Sequence, residues 1–126
     1  MNALVVDTSS WISYFRGKHT EDIDEALKDG RVYLSPIVAS ELLSGNLKPL
    51  ERSKLRDFLK ELPLCENNFD HWVRVGELRS KLFSQGISVS TPDAHIAQCA
   101  LDLKCRLLTE DSIFEKIARN SPLSIL

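Results

Sequence analysis

No apolar run in this 126-residue sequence approaches the roughly 18 residues of a membrane helix, so the chain is expected not to enter a membrane. A basic leader is missing too. Met1-Asn2-Ala3-Leu4-Val5-Val6-Asp7 opens without Lys or Arg, and its apolar stretch is too short for a signal peptide. Cysteine is scarce: Cys65, Cys99 and Cys105 are odd in number and form no CxxC pair. That argues against a disulfide framework and for reduced thiols in a cytoplasmic protein, with Cys65 and Cys99 placed in the core as small hydrophobes. His19, His71 and His95 have neither HExxH nor zinc-finger spacing, so no Cys or His metal cluster is expected. An excess of one charge sign is also lacking: 16 Lys and Arg against 18 Asp and Glu give a net charge of -2. This weighs against a strongly basic nucleic-acid clamp, although a local patch can still meet phosphates. The sequence has no internal repeat, low-complexity tract or linker, and a single domain over residues 1–126 follows.

What is present is an ordinary globular composition, 43% hydrophobic and 27% charged, sufficient for one core. Ala3 to Val6 is a short continuous apolar run, suited to a strand buried on both faces. Further strand candidates are Arg31 to Leu34, Cys105 to Leu108 and Leu123 to Leu126. Leu62 to Cys65 is weaker, because Pro63 demotes it to an edge or a loop. Helical patterns separate these runs. Ser35-Pro36 starts a helix that runs to Gly45, and Thr91-Pro92 repeats the signal for a helix through Leu103. Leu55, Phe58, Leu59 and Leu62 form the apolar stripe of a helix over residues 50–62. Phe69, Trp72, Val73, Leu82 and Phe83 are expected to face the core from a helix that stops near Gly86. Asp111 or Ser112 starts a last helix with Phe114, Ile117 and Ala118 turned inward. Strands alternating with helices predict an α/β fold, a central parallel sheet flanked by helices.

Four acids then fall in related places. Asp7 follows the first strand, Glu41 lies in the helix after the second, Asp93 sits at a helix start, and Asp111 follows a late strand. Ligand sites of open parallel sheets lie at the carboxyl ends of the strands, and the topology would gather all four there. A carboxylate after a strand is often a cap or a turn residue; the conjunction of four is what points to a site. Like charges raise one another's pKa, and a hard divalent cation relieves that repulsion. Such a cation lowers the pKa of a water molecule and neutralises a phosphodiester under attack.

Leu4-Val5-Val6-Asp7-Thr8-Ser9, Ser40-Glu41-Leu42-Leu43-Ser44-Gly45, Pro92-Asp93-Ala94-His95-Ile96-Ala97 and Leu107-Leu108-Thr109-Glu110-Asp111 follow in that order. Together they resemble the PIN domain, and more narrowly the VapC-type toxin ribonucleases of toxin–antitoxin pairs, over nearly the whole chain. The resemblance implies a PIN fold and Mg²⁺- or Mn²⁺-dependent cleavage of RNA, with tRNA among the candidates. It also implies a cognate VapB-type antitoxin and a homodimer. Asp7, Glu41 and Asp93 match the three core acids of the family, and Asp111 matches the first acid of its last motif. Ile113 stands where that motif often has a second aspartate, which leaves one metal or two open. Thr8, Ser9 and Thr109 are expected to orient carboxylates or waters. A catalytically weak module that binds RNA or protein is the alternative that Ile113 keeps alive.

Arg16-Gly17-Lys18-His19 reads as a basic loop near the Asp7 end of the sheet, where Arg16 and Lys18 can meet RNA phosphates. Trp11, Tyr14 and Phe15 are expected in the core or a partner groove. Trp72 is assigned to the core, and His95 to the surface or a pocket rim.

Overall fold

A computed structural model describes residues 2–126; Met1, the first residue of the stretch read for a leader, lies outside them. The chain runs β1 (Leu4–Val6), α1 (Thr8–Phe15), α2 (Thr20–Lys28), β2 (Val32–Tyr33), α3 (Pro36–Leu43), α4 (Pro49–Lys60), α5 (Phe69–Ser84), α6 (Thr91–Leu103), β3 (Arg106–Leu108), α7 (Ile113–Arg119) and β4 (Ser124–Ile125). All described strand pairs are parallel, in the order β2-β1-β3-β4. β1 is therefore internal, and its three residues are buried on both faces. This is the reason a run of Leu-Val-Val without polar alternation works here.

The weakest strand candidate forms no strand. Residues 62–65 meet the sheet edge through a single parallel bridge, Leu34 to Leu64. Leu34 N–H donates to Pro63 O at 2.8 Å, and Cys65 N–H donates to Leu34 O at 2.9 Å. Pro63 has no N–H to extend the ladder further. Helix starts follow the sequence with one shift. Ser35 caps α3 by accepting from the N–H groups of Ile37 and Val38. α6 is capped by Ser90 rather than Thr91, which is already helical. Ile113 N–H bonds to Asp111, and Phe114 and Ile117 of α7 are buried. No helix among the described residues is long and apolar enough to cross a membrane.

The inward face of α5 differs from expectation. His71, Val75, Leu78 and Leu82 are buried, whereas Phe69, Trp72, Val73 and Phe83 stay exposed. His95 is fully buried, not at a rim. One cause explains these corrections. α5 packs along α6, and a hydrogen-bonded chain between them needs His71 inside. Ser35 Oγ lies 2.7 Å from His95 Nε2, His95 Nδ1 lies 2.8 Å from His71 Nε2, and His71 Nδ1 lies 2.7 Å from Asp102 Oδ2. Arg74 grips Asp102 with two N–H groups, at 2.8 and 3.0 Å. Gln98 donates to the same carboxylate at 2.8 Å.

The direction of the chain follows from its ends, and the tautomers are assigned from it. Ser35 Oγ already accepts two backbone N–H groups, so its own proton goes to His95. Asp102 accepts throughout. Burial alone would raise its carboxyl, but the hydrogen bonds from Arg74, His71 and Gln98 outweigh burial and bring it to about 2. Each imidazole then accepts at one nitrogen and donates from the other. Burial, with His71 alongside, lowers His95 from 6.5 to about 4.

Two outcomes follow for stability. Leu82→Ala empties a fully buried site and should cost about 2–5 kcal/mol, whereas Leu50→Ala, at an exposed position, should stay within about 0.5 kcal/mol; urea unfolding measures both. An unfolded chain protonates His95 first, below its ordinary 6.5. The fold should therefore lose stability from about pH 6.5 down to pH 4 through this residue, and the pH slope should flatten in His95→Gln.

Candidate active site

Asp7 leaves β1 while its backbone is still tied to the sheet. Its N–H donates to Leu108 O at 2.9 Å, and its carbonyl accepts from Trp11 N–H at 3.0 Å, opening α1. The residue occupies the cap position, but its side chain does not cap the helix. Instead Oδ2 accepts from Thr109 Oγ1 at 2.9 Å and Ser9 Oγ at 3.0 Å. Asp7 is only 5% exposed, and burial raises its carboxyl above the ordinary value, against the lowering effect of those two hydroxyls.

The other three acids arrive from separate elements. Asp93 lies in the first turn of α6, where Ser90 already performs the capping. Burial raises the Asp93 carboxyl, a hydrogen bond from Ser90 opposes this, and Asp111, Asp7 and Glu41 add repulsion. Asp93 thus feels all three of the others. Glu41, on the outer turns of α3, accepts from Thr8 Oγ1 at 2.7 Å. Asp111 follows β3; its N–H donates to Thr109 Oγ1 at 3.0 Å, and its Oδ1 accepts from Ile113 N–H at 3.1 Å. One oxygen of Asp111 therefore serves a turn, while its charge still acts on Asp7 and Asp93. The three hydroxyls of Thr8, Ser9 and Thr109 all donate to these acids. Among the described residues, no Lys, Arg or His forms an ion pair with any of the four.

Arg16 and Lys18 are exposed in the loop that follows α1. The loop is fastened from below. His19, with a left-handed φ of 56°, pairs through Nε2 with Glu110, and Glu110 N–H donates to Ser9 Oγ at 3.0 Å. A concavity of about 840 Å³ lies at the other end of the sheet beside Leu4, Arg31 and Arg106, and none of the four acids lines it.

A model of the PIN domain family matches residues 4–120. The chain belongs to the PIN domain family. A search of curated proteins returns no match. Among solved structures, this PIN domain is similar to a chain of VapBC from Salmonella typhimurium bound to DNA, at 23% identity and a TM-score of 0.79, covering 100% of this chain and 98% of that one. A chain of VapBC2 from Rickettsia felis, bound to a promoter DNA fragment, gives 23% identity and a TM-score of 0.78 over 98% and 97% of the two chains. VapBC-1 from nontypeable Haemophilus influenzae gives 19% and 0.77 over 98% and 96%. These likenesses are of fold.

The donor set of the PIN domain suits a hard divalent cation. It offers carboxylate and hydroxyl oxygens, two of its acids are raised by burial, and no Lys, Arg or His among the described residues forms an ion pair with them. A second cluster was not expected. His71, His95 and Cys99 are buried with ligand atoms all within 4.8 Å of one another. It is closed by direct bonding, since two imidazoles on one zinc stand roughly 3.3 Å apart, against 2.8 Å between these rings. Sequence reasoning missed His71, Asp102, Ser90 and Glu110 as supports of the site. A signal for Asp102 exists: His95, Gln98, Cys99 and Asp102 recur at i, i+3, i+4 and i+7, a stripe less apolar than a buried helix face needs.

Because Asp7 is raised, its ionised form weakens the metal-free fold above the ordinary carboxylate range and is relieved as pH falls. Asp7→Asn should therefore raise the melting temperature of the metal-free protein at pH 7, with the gain shrinking toward pH 4.

Proposed function

We propose that this PIN domain is a metal-dependent endoribonuclease, the toxin component of a toxin–antitoxin pair neutralised by a cognate VapB-type antitoxin. The observation that carries the reading is the group of four acids Asp7, Glu41, Asp93 and Asp111, at the carboxyl end of the sheet and without an ion-pair partner among the described residues. The likeness of fold to chains of VapBC complexes supports the toxin part. Three free cysteines fit a reducing cytoplasm, where RNA and the antitoxin would meet the chain.

The residues divide the work. Asp7, Glu41, Asp93 and Asp111 would hold Mg²⁺ or Mn²⁺. When bound, that ion supplies the Lewis acidity that neutralises a phosphodiester and favours attack by water. Ser9 and Thr109 keep Asp7 Oδ2 fixed and leave Oδ1 with no hydrogen-bonding partner among the described side chains. Thr8 holds Glu41 toward α1. Arg16 and Lys18 would draw RNA phosphates to the rim; the Glu110–His19 pair holds their loop in place. With a net charge of -2 the basic path is narrow, and RNA binding should weaken only modestly as salt rises, because few phosphates are neutralised. Self-association as a homodimer belongs to the same proposal. A second reading, a module that binds without turnover, is favoured by Ile113, an apolar side chain packed against the core at the position where the resemblance expects a second aspartate.

The deciding experiment incubates the purified, antitoxin-free chain with total cellular RNA in EDTA, in Mg²⁺ and in Mn²⁺. Discrete cuts that require the metal are expected. Asp7→Asn and Asp93→Asn should each lower the rate by about 10²–10³ or more, the scale of losing one preorganised group at a charged transition state. Cleavage unaffected by EDTA or by both substitutions would overturn the site. Metal binding without cleavage would select the second reading.

A further inference from the structure

Two of the four acids stand just past strands of the sheet, and two are carried on helices. Asp7 and Asp111 follow β1 and β3, and the Asp7 N–H donates to Leu108 O at 2.9 Å. Asp93 has no such tie to a strand. It lies in the first turn of α6, so its place depends on where and how that helix begins. Ser90 Oγ accepts the Asp93 N–H at 3.2 Å, and the same hydroxyl bonds to the Asp93 carboxyl. Ser90 O accepts the Ala94 N–H at 3.0 Å. These bonds fasten Asp93 to Ser90, but they do not fasten Ser90 to the rest of the molecule.

The stretch before Ser90 is sparsely held. Gly86 and Ile87 still bond back to the end of α5, through Phe83 O at 3.0 Å and Leu82 O at 2.9 Å. Ser88 and Val89 make no backbone–backbone hydrogen bond among the described residues. The tie that the structure does give them comes from a side chain: Arg79 Nε donates to Val89 O at 2.9 Å. The Val89 side chain is buried, but an apolar contact is non-directional and leaves the peptide free to turn. A hydrogen bond to its carbonyl does not.

Arg79 is itself held for this contact. It stands on α5 one turn before Phe83, whose ring centroid lies 5.0 Å from the guanidinium carbon. It forms no ion pair with an acid among the described residues. A half-buried arginine that pairs with no carboxylate, yet gives its Nε–H to a loop carbonyl, serves the geometry of the backbone. It orients the peptide that enters α6, and through Ser90 it orients Asp93.

We infer that Arg79 is a positioning residue for the candidate cation site, setting Asp93 by holding the carbonyl of Val89. The inference rests on the cation reading proposed above. Arg79 acts through Val89 and Ser90 alone. Outer hydrogen-bonding partners of metal ligands are typically worth about 10–100-fold in metal affinity.

The test is calorimetric titration of the antitoxin-free chain with Mn²⁺, beside amide exchange without metal. The discriminating variants are Arg79→Met and Arg79→Gln, both of which suit a helix interior about as well as arginine. The first has no donor. The second places its amide nitrogen as many bonds from Cα as Arg79 Nε, so it donates to Val89 O without a charge. Arg79→Met should weaken Mn²⁺ binding at least tenfold, whereas Arg79→Gln should stay within about threefold of the parent. The Asp93 and Ala94 amides should exchange faster in Arg79→Met only, with β1 and β3 unchanged. Arg56→Met, at an exposed arginine paired with its neighbour Asp57, should alter neither readout. In RNA cleavage Arg79→Met should lower kcat and leave KM unchanged.

Equal Mn²⁺ affinity in Arg79→Met and the parent overturns the inference and leaves the cation reading standing. A loss in Arg79→Gln as large as that in Arg79→Met also overturns it, since charge rather than the hydrogen bond would be responsible. Faster exchange throughout β1 and β3 overturns it as well, because Arg79 would then serve the whole fold. A parent chain that binds no Mn²⁺ defeats the cation reading, and the inference falls with it.

Discussion

Asp102 is the fixed charge on which the arrangement of three helices depends. Held by Arg74, His71 and Gln98, it stays ionised and accepts every proton offered to it. That sets the tautomer of His71, then of His95, and ends at Ser35, where the hydroxyl caps α3. One line of hydrogen bonds thus joins the body of α5, the length of α6 and the first turn of α3. Asp93 stands two residues before His95, and Glu41 lies on the helix that Ser35 caps. Two of the four candidate ligands are therefore set by a network that touches neither of them. A buried polar chain is favourable only when every member is satisfied, and the chain from Ser35 to Asp102 meets that condition.

The acids themselves work against the fold. Burial and mutual repulsion raise Asp7 and Asp93, and no Lys, Arg or His offsets them among the described residues. Groups left in that state destabilise a protein unless something else binds there. The hydroxyls of Thr8, Ser9 and Thr109 orient the carboxylates without neutralising them. This is the physical ground for reading the cluster as a cation site rather than a set of caps. Asp111 shows how close the two readings lie, since one of its oxygens does serve a turn.

Much of the fold was legible because its signals are local. The continuous Leu4-Val5-Val6 run marks a central strand, Ser35-Pro36 marks a capped helix start, and Gly86 with its φ of 79° ends α5. Pro63 correctly weakened one strand candidate, which survives as a single bridge. The acids could be listed from sequence, since each sits at a strand end or a helix start. The helices α1 and α2 carry no such start signal, because neither Asp7 nor the left-handed His19 before Thr20 caps its helix with a side chain.

The class of fold and its parallel sheet are legible along the chain, as are the positions of the four acids at strand ends and helix starts, because period, capping and turn chemistry act between neighbours. Which side of α5 turns inward is set by the packing of the helices. On apolarity alone Phe69, Trp72 and Phe83 outrank His71, so a rule based on hydrophobic periodicity chooses the wrong face. What reverses it is a partner 31 residues away: Asp102, on a different helix, makes a buried histidine favourable. The same packing buries His95 and leaves the aromatic stripe in solvent. Hydrogen-bond satisfaction over such separations has no period in the sequence, and only the packed helices bring its members within reach.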